Sequence, residues 1–178
     1  MKRVLYIGRF NPLHFGHLKA IEYILASEKD SLDQLIIGIG TAQESFTISN
    51  PFTAGERFDF LLHALQEAKI PSEKYLIIPI PDLNNNNQWI AYLQSLLPNF
   101  STIYSNNSLV TLLAEKFSTL KVKPIPLIKR KEWSATSIRN KMINNDDSWS
   151  SYVPNSVNKL ILKFDGVQRI QLLAKNDM

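Results

Sequence analysis

The chain contains no cysteine. Disulfides, thiolate nucleophiles and cysteine-ligated zinc are therefore excluded. It also lacks a long apolar run. Met1-Lys2-Arg3 followed by Val4-Leu5-Tyr6-Ile7 opens like an export signal, but the apolar stretch stops after four residues at Gly8-Arg9. That is far short of an export or membrane-spanning segment, so a cytoplasmic protein with no membrane partner is expected. Charge of one sign is scarce as well: Lys plus Arg number 20 and Asp plus Glu 16, a net +4. This excess suits an anionic small molecule and is too small to imply a nucleic-acid partner. The basic residues are dispersed, and the short run Lys129-Arg130-Lys131 reads either as a solvated loop or as a phosphate contact. No internal repeat is present, and Asn84-Asn85-Asn86-Asn87 is short enough to be an ordered loop.

What is there is ordinary for a globular protein. With 178 residues, 44% hydrophobic and 20% charged, the chain fits one domain with a real core. Short β-rich runs alternate with amphipathic stretches. Residues 4–7 form an apolar run ending at Gly8, as a buried parallel strand does, and Leu18, Ile21 and Leu25 then recur at helical spacing. The same alternation predicts strands over 35–39, 75–78, 102–104 and 122–125. Helices are predicted after Thr53 (Phe58, Leu61, Leu62, Leu65), at Trp89 to Leu97 and around Leu109, Leu112 and Leu113. Ser134 is placed to cap a helix over 135–143 that ends at Asn144-Asn145-Asp146-Asp147. Pro154 is placed to start another helix through Leu162, and residues 167–174 give a last one. The expected fold is α/β: a Rossmann-like, doubly wound parallel sheet over residues 1–133, with a small helical C-terminal part over 134–178 in the same 1–178 domain. Ligands in such sheets bind beyond the carboxyl ends of the strands. This singles out residues 8–17, 40–43, 79–89 and 105–107.

The strongest chemical signal is Gly8-Arg9-Phe10-Asn11-Pro12-Leu13-His14-Phe15-Gly16-His17, lying where the first strand ends and the first helix begins. Free backbone N–H groups and the helix dipole favour phosphate at such a place. Gly8 lets backbone approach a ligand, and Pro12 stiffens the turn. His14 and His17, three apart, fall on one side of a helical start. Each can donate a ring N–H to a phosphate oxygen, more strongly when protonated, and Gly16 leaves the space between them clear. Two of the chain's three histidines in one H-x-G-H argue against simple packing. A zinc site would need His63, which lies inside a distant amphipathic helix.

This segment resembles the H-x-G-H signature of nucleotidyltransferases of the class I aminoacyl-synthetase-like superfamily. Trp133-Ser134-Ala135-Thr136-Ser137-Ile138-Arg139 resembles the second signature of that family, Ser-x-Thr-x-x-Arg. Gly40-Thr41-Ala42-Gln43, Asn50-Pro51-Phe52-Thr53-Ala54-Gly55-Glu56-Arg57, Pro79-Ile80-Pro81-Asp82, Gln88-Trp89 and Gly166-Val167-Gln168-Arg169-Ile170 are similar to archaeal-type nicotinamide-mononucleotide adenylyltransferases over nearly the whole chain. Thr53 with Glu56 three residues on also reads as a plain capping box.

The resemblance implies transfer of AMP from ATP to nicotinamide mononucleotide, giving NAD and pyrophosphate. His14, His17, Arg139 and Arg9 are the implied catalytic groups. Gly8, Phe10, Asn11, Gly16, Ser105, Asn107, Ser134 and Thr136 are expected to bind ATP. Thr41, Gln43, Arg57, Asp82, Asn86 and Trp89 are expected to bind the acceptor, with Trp89 either stacked on the pyridine ring or simply part of an apolar helix face. Mg²⁺ is the expected cofactor, held by phosphates and water with no protein metal ligands, and a homo-oligomer, possibly a hexamer, is implied. Three positions depart from the pattern. Asn11 replaces Gln, Ser49 stands where an Arg is usual, and Asn106 replaces Gly, which is expected to narrow the adenine pocket. A sister transferase acting on FMN or phosphopantetheine, or using CTP, and a nucleotide sensor without turnover are the alternatives.

Overall fold

In the computed structural model, residues 1–126 and 133–176 are described; the Lys129-Arg130-Lys131 run lies outside them. Five strands build the sheet: β1 Arg3–Gly8, β2 Gln34–Ile39, β3 Tyr75–Pro79, β4 Thr102–Tyr104 and β5 Lys121–Lys123. The helices are α1 Phe15–Ser27, α2 Ala54–Glu67, α3 Trp89–Leu96, α4 Ser108–Phe117, α5 Ala135–Ile143, α6 Asn155–Lys163 and α7 Gly166–Asn176. The strand order is β3-β2-β1-β4-β5 with every pair parallel.

Alternation along the strands divides the core into two layers. Val4 and Tyr6 of β1 join Leu35, Ile37 and Ile39 of β2 on one face, covered by α1, α2 and the C-terminal helices. Leu5, Ile36 and Ile103 face the other way, beneath α3 and α4. The C-terminal helices belong to the first layer, where Ile138, Met142, Val157, Ile161 and Ile170 pack in one cluster with Phe52, Phe60 and Leu61. They are also tied in by polar groups. Both Glu67 carboxylate oxygens accept from main-chain N–H groups at the start of α6, from Asn155 at 3.3 Å and Ser156 at 2.8 Å.

Several element ends depart from the sequence pattern. The fifth strand stops at Lys123, short of Ile125, because Pro124 has no N–H to continue the ladder. The polar residues after α5 do more than end it. Asn145 takes a left-handed φ of 55°, and a 3-10 turn over Asp147–Tyr152 buries Trp149. The capping box at α2 is present: Thr53 N–H donates to Glu56 Oε2 at 2.8 Å, and Glu56 N–H donates to Thr53 Oγ1 at 3.2 Å.

Candidate active site

The order of the strands reverses between β1 and β4, which places a crevice at their carboxyl ends. A cavity of about 580 Å³ lies there. Its walls include Tyr6 and Ile7 from β1, Tyr104 and Ser105 from β4, His14, Gly16 and His17 at the start of α1, and Trp133 just before α5. Two helix N-termini therefore border one crevice, the arrangement that suits a polyanion.

The two imidazoles are stacked, with ring centroids 3.7 Å apart and planes inclined by 24°. His14 is the cap residue of α1, and its carbonyl accepts the His17 N–H at 2.9 Å. The His14 main-chain N–H points at His17 Nδ1 at 3.4 Å, which assigns the His17 ring proton to Nε2. Phe10 supports the other side of His17, edge to face at 4.8 Å. A β-carbon on Gly16 would meet the His14 ring at 3.0 Å, so glycine is what lets that ring lie where it does. Burial lowers the His14 pKa to about 4. Burial, and then the neighbouring His14, lower that of His17 well below its usual value. Both rings are thus neutral at pH 7 without a ligand, in contrast to the protonated donors the sequence allows. His14 Nδ1 is buried and has no hydrogen-bond partner.

Arg139, 7% exposed, reaches back from α5. Its Nη1 donates to the Asn11 carbonyl at 2.7 Å and its Nη2 to Thr136 Oγ1 at 3.4 Å. Ser134 caps α5 by accepting the Ser137 N–H at 3.1 Å. Arg9 is exposed, and its charge depresses the pKa of both Arg57 and Arg139, after burial as the larger cause. Arg9 therefore lies within electrostatic reach of both buried guanidinium groups.

Three residues assigned to ligands from sequence are placed in supporting positions. Arg57 is fully buried. Its Nε donates to the Thr53 carbonyl, Nη1 to those of Arg9 and Gly40, and Nη2 to those of Thr41, Ala42 and Glu44. All five guanidinium N–H groups are committed to main chain, so this side chain pins the loops after β1 and β2 and has no donor left for an acceptor molecule. Asn11 is 1% exposed. It donates to Asn50 Oδ1 at 3.2 Å and accepts the Phe52 N–H at 3.0 Å. Phe10 is fully buried, and its ring fills the space a Gly8 side chain would need, 2.8 Å from the built β-carbon. Gly8 thus makes room for Phe10 in this structure.

On the acceptor side, Asp82, Asn84, Asn86 and Trp89 line a second cavity of about 460 Å³. Trp89 also borders a smaller one of about 170 Å³ that reaches Asn107. Trp89 packs on the α3–α4 cluster, as the helix-face reading expects, and also lines open space. Gln43 Oε1 accepts the Asp82 N–H at 2.9 Å, joining the loops after β2 and β3. Thr41 sits at φ 53° with its carbonyl bonded to Arg57. Ser105 Oγ accepts the Asn107 N–H at 3.1 Å, and Asn107 Oδ1 accepts the Leu109 N–H at 3.0 Å. Ser49 Oγ lies 3.4 Å from Asn50 Nδ2. His63 is exposed on α2, its Nδ1 2.9 Å from the Asp59 carbonyl oxygen and remote from the histidine pair.

Several wall residues carry no motif signal. Tyr6, Tyr104 and Ile125 line the main cavity as ordinary strand or loop residues. Tyr104 O–H donates to the buried Glu28 carboxylate at 2.8 Å, which also receives Lys123 at 2.5 Å and Lys2 at 2.9 Å. Arg169 of α7 forms a two-point pair with Glu56, at 2.7 and 2.8 Å, and donates to the Pro51 carbonyl at 3.2 Å. Among the described residues, no group of three or more His, Asp or Glu side chains is placed to hold a metal. The main cavity is lined by imidazoles and uncharged polar groups, with no carboxylate among the described residues, which fits a divalent ion carried in on phosphate oxygens.

A doubly wound parallel sheet with a histidine pair at the first helix start and an arginine returning from a later helix defines a nucleotidyltransferase class of site. The chain belongs to the cytidylyltransferase-like family, whose model matches residues 5–141. It is 44% identical over 99% of its length to the nicotinamide-nucleotide adenylyltransferase of Pyrococcus furiosus, covering 91% of that protein. It is 43% identical over 99% of its length to the enzyme of the same name from Thermoplasma acidophilum, covering 94% of it. Among solved structures it resembles a bifunctional NMN adenylyltransferase/ADP ribose pyrophosphatase from Francisella tularensis, complexed with AMP and a manganese ion. That match has a TM-score of 0.77 and 26% identity over 99% of this chain, which spans about half (53%) of the larger protein.

Proposed function

We infer that the chain is a nicotinamide-nucleotide adenylyltransferase: it transfers AMP from ATP to nicotinamide mononucleotide and releases NAD and pyrophosphate. The observation that carries this reading is the stacked His14–His17 pair lining one crevice at the start of α1, with Arg139 bonded to the Asn11 carbonyl of the same turn, in a chain over 40% identical along its length to adenylyltransferases of that name.

In the reaction, a 5′-phosphate oxygen of the mononucleotide forms a bond to the α-phosphorus of ATP, and the bond to the bridging oxygen breaks in line. The electron pair leaves with pyrophosphate. A phosphate dianion is already a nucleophile at neutral pH, so no general base is required. The protein's contribution is positioning and neutralisation of charge on the phosphoryl oxygens. His17 supplies a ring N–H from Nε2, and the His14 ring, stacked on it and lining the same cavity, supplies a second. Arg9 and Arg139 supply fixed positive charge. Arg139 keeps its phosphate-facing geometry through its bond to Asn11. A divalent ion, Mg²⁺ in this reading, would be held by the nucleotide's phosphates and water and would offset charge on the phosphoryl oxygens.

Trp89 offers an aromatic face to the cationic pyridine ring, with Asp82 and Asn86 beside it. The crevice containing Ser105 and Asn107 takes the adenosine. The test is pyrophosphate release from ATP with nicotinamide mononucleotide or nicotinic acid mononucleotide, with and without Mg²⁺. Mg²⁺-dependent release with the nicotinamide compound is expected. Release with FMN or phosphopantetheine in its place would overturn the assignment.

A further inference from the structure

The main cavity contains one side chain bonded the way a ligand is bonded. Asn106 leaves the end of β4, and its carboxamide makes two hydrogen bonds to a single residue. The Ile125 N–H donates to Asn106 Oδ1 at 3.0 Å, and Asn106 Nδ2 donates to the Ile125 carbonyl at 2.7 Å. Both residues line the cavity. The β4–β5 ladder closes just before this point, where the Ser105 N–H donates to the Lys123 carbonyl at 3.0 Å. Pro124 then contributes no N–H. The Ile125 N–H and C=O are therefore the first complete main-chain donor–acceptor pair beyond the ladder, and a side chain occupies it. Asn106 is exposed, so the surroundings do not lock the carboxamide in place, and water or a ligand can exchange for it at small net cost.

A carboxamide presents an N–H donor beside an oxygen acceptor. The edge of a 6-aminopurine presents the same pattern, an exocyclic amine donor beside the ring N1 acceptor. A 6-oxopurine presents the inverse, an oxygen acceptor beside an N1–H donor. We propose that the Asn106 carboxamide is an internal stand-in for the adenine edge: it holds the Ile125 main-chain pair in the free protein and is displaced when the base of ATP takes that pair. The proposal rests on the reading that this cavity receives ATP. It makes Asn106 a residue that sets nucleotide affinity and base selection by competition, a role distinct from narrowing the pocket by bulk. Adenine exchanges one matched pair of bonds for another, so much of the gain from its edge is cancelled. A 6-oxopurine held in the adenine orientation sets donor against donor and acceptor against acceptor, and so gains nothing by displacing the carboxamide.

The test is calorimetric binding of ATP and of ITP to the full chain and to Asn106→Ala and Asn106→Leu, beside a pyrophosphate-release assay. Both substitutions remove the two bonds, and Leu keeps the bulk. ATP is expected to bind both variants about fivefold or more tightly than the parent chain, with ITP unchanged, so that the ATP-to-ITP preference widens by the same factor. Unchanged or weaker ATP binding in both variants overturns the proposal. So does an equal gain for ATP and ITP, or a gain confined to Ala, which assigns the effect to bulk. Because affinity is read without turnover, the two readings separate. Lack of pyrophosphate release beside a widened preference counts against the transferase and for the stand-in. Normal release with an unmoved preference does the reverse.

Discussion

Arg139 Nη1 lies 2.7 Å from the carbonyl oxygen of Asn11, a contact between residues 128 positions apart. It joins the H-x-G-H turn to the Ser-x-Thr-x-x-Arg helix, so each signature fixes the position of the other. A guanidinium can hold this carbonyl with one N–H and still present others to phosphate. Arg139→Lys keeps charge but loses the fork. It is expected to lower kcat/KM about tenfold, and Arg139→Ala about a hundredfold or more, roughly 2.7 kcal/mol of transition-state stabilisation. Steady-state kinetics with ATP as the varied substrate checks both; a lysine variant at parental activity would remove the need for the fork.

His17→Ala is expected to lower kcat/KM by at least about tenfold, or ~1.4 kcal/mol. Thermal unfolding of the same variant separates this effect from lost support of the Phe10 ring. Parental turnover in the variant would refute a catalytic role for the imidazole.

The buried imidazoles also predict an acid limb in stability. The His14 pKa lies near 4 in the folded chain against an ordinary 6.5, and that of His17 is also lowered. The unfolded chain therefore binds more protons as pH falls below 6.5, and stability declines from there toward 4, by up to about 3 kcal/mol for His14. Glu28 extends the decline. Hydrogen bonds from Lys123 and then Lys2 hold its pKa at about 2 against 4.5, so its contribution, complete above 4.5, is lost as pH falls toward 2. Chemical denaturation across pH 3 to 8 checks the shape. A flat profile between 6.5 and 4 would contradict neutral, buried histidines.

Arg57→Met removes the side-chain donor from six carbonyls while keeping apolar volume; those of Thr53 and Thr41 keep main-chain donors, from Arg57 and Glu44. Orphaned buried carbonyls cost on the order of 1–3 kcal/mol each where no water replaces the bond. The variant is expected to lose at least about 3 kcal/mol in urea denaturation. Its nucleotide affinities should fall together, since the loops after β1 and β2 both shift. A stable variant with only its acceptor KM raised would instead make Arg57 a direct acceptor contact.

Trp89→Ala is expected to raise KM for nicotinamide mononucleotide about tenfold and leave KM for ATP within twofold, with Trp89→Phe nearer the parent. This follows from loss of a stacking face worth roughly 1–2 kcal/mol. Equal changes in both KM values would show that Trp89 acts through the α3–α4 packing.

The amino-acid sequence by itself determined the order of strands and helices, the caps at Thr53 and Ser134 and the H-x-G-H turn at the start of α1. Each of these depends on near neighbours: apolar spacing, a capping side chain, glycine beside histidine. It did not reveal that Arg57 and Asn11 face inward, because a buried polar side chain is recognised only when its distant partners are known. Nor did it reveal that both histidines are neutral or that Asn106 closes on Ile125. Those outcomes depend on desolvation and on hydrogen bonds between separate strands and loops. The tertiary structure alone decided them, by setting which polar groups lose water and which partner replaces it.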